Sequence, residues 1–199
     1  NNAVSTSAIV RIDSTPEYET GDDYTQKNGC GDICLSLKDC DQLKRMNLEL
    51  ELCVRDMELL ELLTGAHLYS QTFAPSAAQV AGYSRRGVGQ ACPDPVSVEI
   101  WSKVIDSTGA CPDTTDTTPQ YWRTIWPRAT FTLGDVSFAN EIATISLSGF
   151  AEPNPAFSDG CFNDVPVGIT LEPTSPEPYF LDAAVPPTLA CGYIYVPVP

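Results

Sequence analysis

Nine residues constrain this chain more than any others. From Met46 to Val54, apolar and polar side chains alternate without a break. Met46, Leu48, Leu50, Leu52 and Val54 fall on one face of an extended strand; Asn47, Glu49, Glu51 and Cys53 fall on the other. Successive strand side chains point to opposite faces, so the pattern predicts a sheet packed on one side and wet, or facing a polar space, on the other. Other segments repeat the signal. A first strand is expected over 4–12, rich in Ser, Thr and β-branched residues. Ile33, Leu35 and Leu37 alternate within 32–38. From Pro95 onward, Val96, Val98 and Ile100 face one way, and Ser97, Glu99, Trp101 and Lys103 the other. Residues 121–133 are aromatic and extended, with Pro127 suited to an edge or a strand break. In a long strand over 138–150, Ala143, Ile145 and Leu147 oppose Ile142, Thr144, Ser146 and Ser148.

Between these strands lies one helix signal. Asp56 is a good N-cap, because its carboxylate accepts the orphan amide hydrogens of the first turn. Glu58 sits at the positive end of the helix dipole. Leu59, Leu60, Leu62 and Leu63 form the expected buried stripe, and Gly65 supplies the left-handed stop. A helix of two or three turns does not stand alone in water, so it must pack on the sheet. The expected fold is mainly β: a single domain over 1–199, a β-sandwich or barrel with one short flanking helix. Residues 13–31 are acidic and polar and read as a loop or N-terminal arm. Residues 66–95 read as a long loop at an inter-subunit contact, because connections are usually ~4–6 residues. The Pro-rich stretch 151–199 reads as an extended segment that packs along the domain and ends in a strand. Beyond Arg128 there is no Lys or Arg.

Composition narrows the function. Eleven basic residues stand against 26 acidic ones, a formal charge of −15. An anionic surface repels phosphate, which excludes ordinary nucleic-acid binding through a basic patch. With one histidine, His67, any mechanism needing two is excluded. No apolar run approaches the ~20 residues of a membrane helix. No Asn-x-Ser/Thr sequon occurs, and no charged-then-apolar signal segment is visible, though residues preceding Asn1 stay open.

Eight cysteines, at positions 30, 34, 40, 53, 92, 111, 161 and 191, leave three readings. An even count in an acidic, Pro-rich chain suggests disulfides. Cys30-x3-Cys34 has zinc-like spacing, but no second close pair follows, and Cys40 and His67 complete a site only by folding accident. Small buried thiols are the leading reading.

Chemistry is otherwise sparse. There is no Gly-x-Ser-x-Gly elbow, phosphate-cradling glycine loop or HExxH helix. His67, directly after the helix stop, reads as a loop residue. Glu49 and Glu51 are spaced like a glycosidase carboxylate pair. A solvated or interface-facing strand is the stronger reading, since such acids also need sugar-stacking aromatics, for which Trp101, Trp122 and Trp126 are the candidates. The acids Asp13, Asp22, Asp23, Asp39 and Asp41 show no calcium-loop alternation. No catalytic residue, metal or cofactor is expected.

The run Leu50-Glu51-Leu52-Cys53-Val54-Arg55-Asp56-Met57-Glu58-Leu59-Leu60-Glu61-Leu62-Leu63-Thr64-Gly65 resembles the strand–Asp–helix–Thr-Gly block of major tail proteins from long, non-contractile-tailed bacteriophages. The likeness is closest to those of actinobacterial hosts. Val96-Ser97-Val98-Glu99-Ile100-Trp101-Ser102 resembles that family's next strand. Trp122 to Trp126, Gly134-Asp135-Val136-Ser137-Phe138 and Ala143 to Phe150 resemble the paired strands that follow. The resemblance covers 46–150 in order. It implies a tail-tube subunit: a β-sandwich or barrel with one flanking helix, six copies to a ring, rings stacked into a tube. The expected partners are other copies of the chain and the tape-measure, tail-terminator and distal-tail proteins; viral DNA passes through without specific binding, and no membrane is involved. The expected location is the virion tail, after assembly in the host cytoplasm. The cysteine content departs from the family, and an additional C-terminal domain of some relatives is missing.

On that resemblance, Glu49 and Glu51 are the leading lumen-facing candidates, followed by Glu99, Glu141 and Thr144. Arg85, Arg86, Trp101 and Trp122 are the inter-subunit candidates. Two other readings remain: a tail terminator or head–tail connector, and a secreted disulfide-bonded binding or adhesion module.

Overall fold

A computed structural model of the chain describes residues 3–53, 56–72, 78–104, 121–134, 144–157, 165, 168–182 and 194–196. Its spine is the alternating segment. β5 (Gln42–Leu52) buries Met46, Leu48, Leu50 and Leu52 and leaves Asn47 and Glu49 exposed, with Glu51 half-buried. The predicted two-sided strand is therefore present and four residues longer at its start. β2 (Ile9–Glu19) pairs antiparallel along one side of β5, and β10 (Ile145–Glu152) along the other.

β10 pairs in turn with β9 (Tyr121–Leu133), and β9 with β8 (Val96–Lys103). The sheet order is thus β8–β9–β10–β5–β2. Ala129 pairs with Ala151 on one side and Val96 on the other; Arg123 likewise lies between Phe180 and Trp101. It follows that the short β11 (Tyr179–Asp182) continues the line of β10 along the same edge of β9. The sheet curls into a half-barrel. Register shifts in the β2–β5 and β8–β9 ladders supply local bends of the kind that bulges impose.

Pro127 shows how the curl is built. It lies in the middle of a strand paired on both edges, not at an edge as its sequence suggests. Val96 pairs with Ala129 and Val98 with Trp126, so Pro127 and Arg128 together face the single residue Ser97. A bulge leaves one ladder position unpaired, which is where a residue without an amide hydrogen is tolerated. The bulge also inverts the phase of β9. Before it, Trp126 joins the main core while Ile125 packs on the opposite face; after it, Ala129 and Phe131 belong to the main core.

That main core gathers Met46, Leu48, Leu50 and Leu52 with Ile145, Leu147, Phe131 and the helix. α1 (Met57–Thr64) starts at Asp56, whose Oδ1 accepts from the Leu59 amide at 3.1 Å. It ends at Gly65 in the left-handed region (φ 65°), whose N–H donates to the Glu61 carbonyl at 2.8 Å. Leu59, Leu60 and Leu63 are buried, each side chain contributing roughly 1.5–3 kcal/mol. Leu62 is the exception to the expected stripe: it is on the helix's open side and exposed.

Two expected loops contain strands, and one expected strand is divided. The first strand is split into β1 (Ala3–Ser5) and the start of β2. The 13–31 arm instead continues β2 to Glu19 and then forms β3 (Asp23–Lys27), which pairs with β4 (Ile33–Lys38) as a hairpin. Every residue from 22 to 44 is exposed, so the segment projects from the body as an arm, but an ordered one. The 66–95 loop contains a second hairpin, β6 (His67–Thr72) with β7 (Ala78–Ser84). Of the four hairpin strands only β4 carries a clear alternation, in Ile33, Leu35 and Leu37. The long strand over 138–150 is described from Thr144; its earlier part lies outside the described residues. Leu171 and Phe180 pack with Ile125 in a second small core, and β12 (Ile194–Val196) closes on β1. Among the described residues no helix is long and apolar enough to cross a membrane.

Candidate functional site

The polar face of β5 is the centre of an open acidic surface. Sheet register aligns Thr132 of β9, Ser148 of β10, Glu49 of β5 and Asp13 of β2 in one row across four strands. The next row carries Ser146, Glu51 and Arg11. Thr132 Oγ1 donates to the Ser148 carbonyl at 3.0 Å, which fixes the β9 end of the first row. Arg11 Nε pairs with Asp13 at 2.7 Å. Three carboxylates therefore face one guanidinium, and two of them, Asp13 and Glu49, stand directly opposite each other. Like charges so placed disfavour the pairing by a few tenths to ~1 kcal/mol. Arg11, 2.7 Å from Asp13, offsets part of that repulsion.

Farther along the same ladder the charges balance. Glu17 accepts from Arg45 Nε at 2.7 Å and from the Asn47 side chain at 3.2 Å, and Lys44 lies 3.3 Å away. Hydrogen bonding to Arg45, above all, holds the Glu17 carboxyl below its ordinary range. The Arg45 guanidinium also lies 5.1 Å from the Phe150 ring centroid.

Of the other lumen candidates, Glu99 falls elsewhere and does not join Glu49 and Glu51. It is held at 2.8 Å by Arg123 Nη2, beneath the C-terminal segment. Thr144 immediately precedes β10 and is half-buried. Glu141 lies outside the described residues.

The inter-subunit candidates are likewise divided. Arg85 is exposed; its Nη1 donates to the Leu133 carbonyl at 3.0 Å and Nη2 to the Gly134 carbonyl, so it ties the end of β7 to the end of β9 within one chain. Arg86 is half-buried, with its side chain near Gly65. Trp101 is half-buried and stacked under Arg123, whereas Trp122 is 46% exposed.

Arg123 marks a site that sequence reasoning missed. It is 1% exposed, with Nη1 3.1 Å from Asp182 and Nη2 on Glu99. Its guanidinium lies 4.7 Å from the Trp101 ring centroid and 5.4 Å from that of Phe180. Two carboxylates and two aromatic faces replace the water that a buried cation loses. Asp182 belongs to β11, and Glu177 just before it accepts from Trp126 Nε1 at 3.0 Å, so the cluster latches the C-terminal segment onto the body. The available signal was an Arg next to two aromatics in Tyr121-Trp122-Arg123, without any hint of its distant partners.

Five cysteines are described, and all five, Cys30, Cys34, Cys40, Cys53 and Cys92, are free and exposed. The buried-thiol expectation fails for them, because three stand on the arm, where there is no core to enter. Cys111, Cys161 and Cys191 lie outside the described residues. Among the described residues no group of three or more His, Cys, Asp or Glu side chains is placed to hold a metal ion. His67 is exposed and makes an edge contact with Tyr69. The aromatics that a sugar site on Glu49 and Glu51 needs are elsewhere: Trp126 is in the main core, and Trp101 is under Arg123.

The arm exposes several large apolar side chains. Tyr24, Ile33, Leu35 and Leu37 are each roughly half exposed, and Tyr18 and Leu43, paired where the arm begins, are exposed as well. Register puts Tyr24 opposite Leu37 and Gln26 opposite Leu35, so Tyr24, Leu35 and Leu37 share one face, while the register shift at Cys34 sets Ile33 opposite Lys27 and out of phase with them. No protein-family model matches the chain, and no curated protein matches it.

Proposed function

We propose that the protein is a structural subunit of a bacteriophage tail tube, six copies closing a ring and rings stacking into an acidic conduit for the genome. The observation that carries the proposal is the acidic row Asp13–Glu49–Ser148–Thr132 on a sheet whose two outer strands, β8 and β2, have no further strand beside them among the described residues.

A conduit must let a polyanion pass without holding it. Each phosphate that meets a cation releases counterions and gains salt-dependent affinity, and many such contacts along a tube stall transit. A face with an excess of carboxylates avoids this. Only charges within about 8 Å of the DNA act on it at physiological salt, so what matters is the row facing the bore and not the chain's total charge. The Asp13–Glu49 juxtaposition is unfavourable within the monomer, as expected of a surface kept for another purpose.

The sheet edges supply the means of assembly. An open edge is a template for strand pairing. Because the two edges differ, pairing β2 of one copy with β8 of the next is head-to-tail, and a rotation that closes makes a ring. The apolar face of the β3–β4 arm, unpartnered among the described residues, suits a seat on the adjacent copy or ring.

Negative-stain microscopy of the purified full chain tests this directly. Tubes or stacked rings are expected. Isolated rings support a tail terminator or connector instead, and a monomer at high concentration refutes assembly altogether.

A further inference from the structure

We propose that the β3–β4 arm is a disulfide cross-linking site between copies of this chain; the inference rests on the self-assembly proposed above. Free cysteine is among the residues most often buried. Here Cys30, Cys34 and Cys40 lie within eleven residues of one another on a projecting hairpin where every side chain is exposed. Each occupies a different level: Cys30 in the turn at the tip, Cys34 on β4, and Cys40 beyond the end of β4 at the base. The arm therefore carries thiols along its whole length.

Geometry directs these thiols outward. A disulfide requires Cα atoms within about 7 Å. Cys34 and Cys40 are six residues apart along an essentially extended strand, roughly 20 Å at ~3.3 Å per residue. Cys30, at the tip, is farther still from Cys40. The Cys34 thiol donates to the Gln26 carbonyl at 3.3 Å, and Gln26 lies opposite Leu35, on the side of Cys34 away from the tip. Cys34 is thus turned away from Cys30, whose own amide is held by Asn28 Oδ1 at 3.0 Å. Every arm side chain being exposed, a partner sulfur comes most directly from another copy of the chain.

The chemistry balances with a small-molecule disulfide as oxidant. One arm thiol, as thiolate, attacks that disulfide, forming a mixed disulfide and expelling one small thiol. A thiol of the neighbouring copy then attacks the mixed disulfide and expels the second. Two protein thiols lose two protons and two electrons, and the oxidant's S–S bond is reduced to two thiols. Because each arm offers three sulfurs, one copy can link to two others, and the product is a ladder and not only a dimer.

Oxidised glutathione added to the assembled full chain, followed by non-reducing electrophoresis and peptide mass mapping, tests this. A ladder extending past the dimer is expected, with the linked peptides containing position 30, 34 or 40, and reductant collapses it. The triple variant Cys30→Ser, Cys34→Ser, Cys40→Ser, at exposed sites and so still folded by circular dichroism, loses the ladder. The control Cys53→Ser, Cys92→Ser keeps it. A ladder that survives in the triple variant, or arm thiols found only glutathionylated or joined within one chain, overturns the inference. Microscopy of the same samples separates the two proposals. Tubes or stacked rings without a ladder remove the cross-link alone, a ladder without tubes or stacked rings removes the tail proposal alone, and neither species removes both.

Discussion

Asp182→Ala is the most informative single change. It takes one of two carboxylates from a guanidinium that is 1% exposed, at a side chain itself only 6% exposed. Breaking a buried ion pair from one side typically destabilises by about 3–5 kcal/mol, because the remaining charge stays desolvated. Glu99 moderates the loss: its side chain is 25% exposed and keeps its 2.8 Å contact with Arg123. The lower end, about 3 kcal/mol, is therefore expected, or roughly 6–12 °C in Tm for a chain of this size. Replacing both partners, Arg123→Met with Asp182→Leu, removes the two most deeply buried charges together and leaves the partly exposed Glu99 carboxylate to water. It should cost less than Asp182→Ala alone, since apolar groups of similar volume can replace a buried pair at little cost. Urea unfolding followed by tryptophan fluorescence reads this, Trp101 lying under the Arg123 guanidinium. Limited proteolysis should show the Asp182→Ala cut concentrated beyond residue 152, where the latched segment begins. A loss below 1 kcal/mol for Asp182→Ala, or a double variant as unstable as the sum of its singles, refutes the latch.

The remaining predictions address other elements. Glu49→Lys with Glu51→Lys should leave tubes intact while slowing or stopping DNA ejection; unchanged ejection kinetics sinks the lumen assignment. Because the Glu17 pKa is lowered in the folded state, its contribution is present above the ordinary carboxyl value near 4.5 and is lost as pH falls through the folded value. The Tm gap between wild type and Glu17→Gln should therefore be open at pH 7 and close below about pH 4.5; a gap that widens in acid contradicts the Arg45 partnership. Asp56→Ala removes the α1 cap and should lower stability by about 1 kcal/mol, with Asp56→Asn largely restoring it. Gly149→Ala should cost about 3 kcal/mol or prevent folding, because its Cβ would collide with the Thr130 carbonyl oxygen and the Phe131 ring where β9 and β10 meet. A wild-type urea midpoint would show that this close approach is absent.

Sequence alone determined what depends on neighbours along the chain. The alternation of Met46 to Leu52, the polarity of Glu49 and Ser148 and the caps of α1 follow from strand and helix geometry, and each was legible before any contact was known. Tertiary structure decided what depends on cover. Leu62 lies outward because the body meets only one side of α1, and Ile33, Leu35 and Leu37 alternate like core residues although no core reaches the arm. Pro127 reads as a break, yet the bulge opposite Ser97 gives it a place between paired strands. Arg123 looks like a surface cation until Asp182, from 59 residues away in the chain, and Glu99 surround it. Periodicity reports which side chains share a face; only the folded chain decides which faces find a partner, because burial is set by residues remote in sequence.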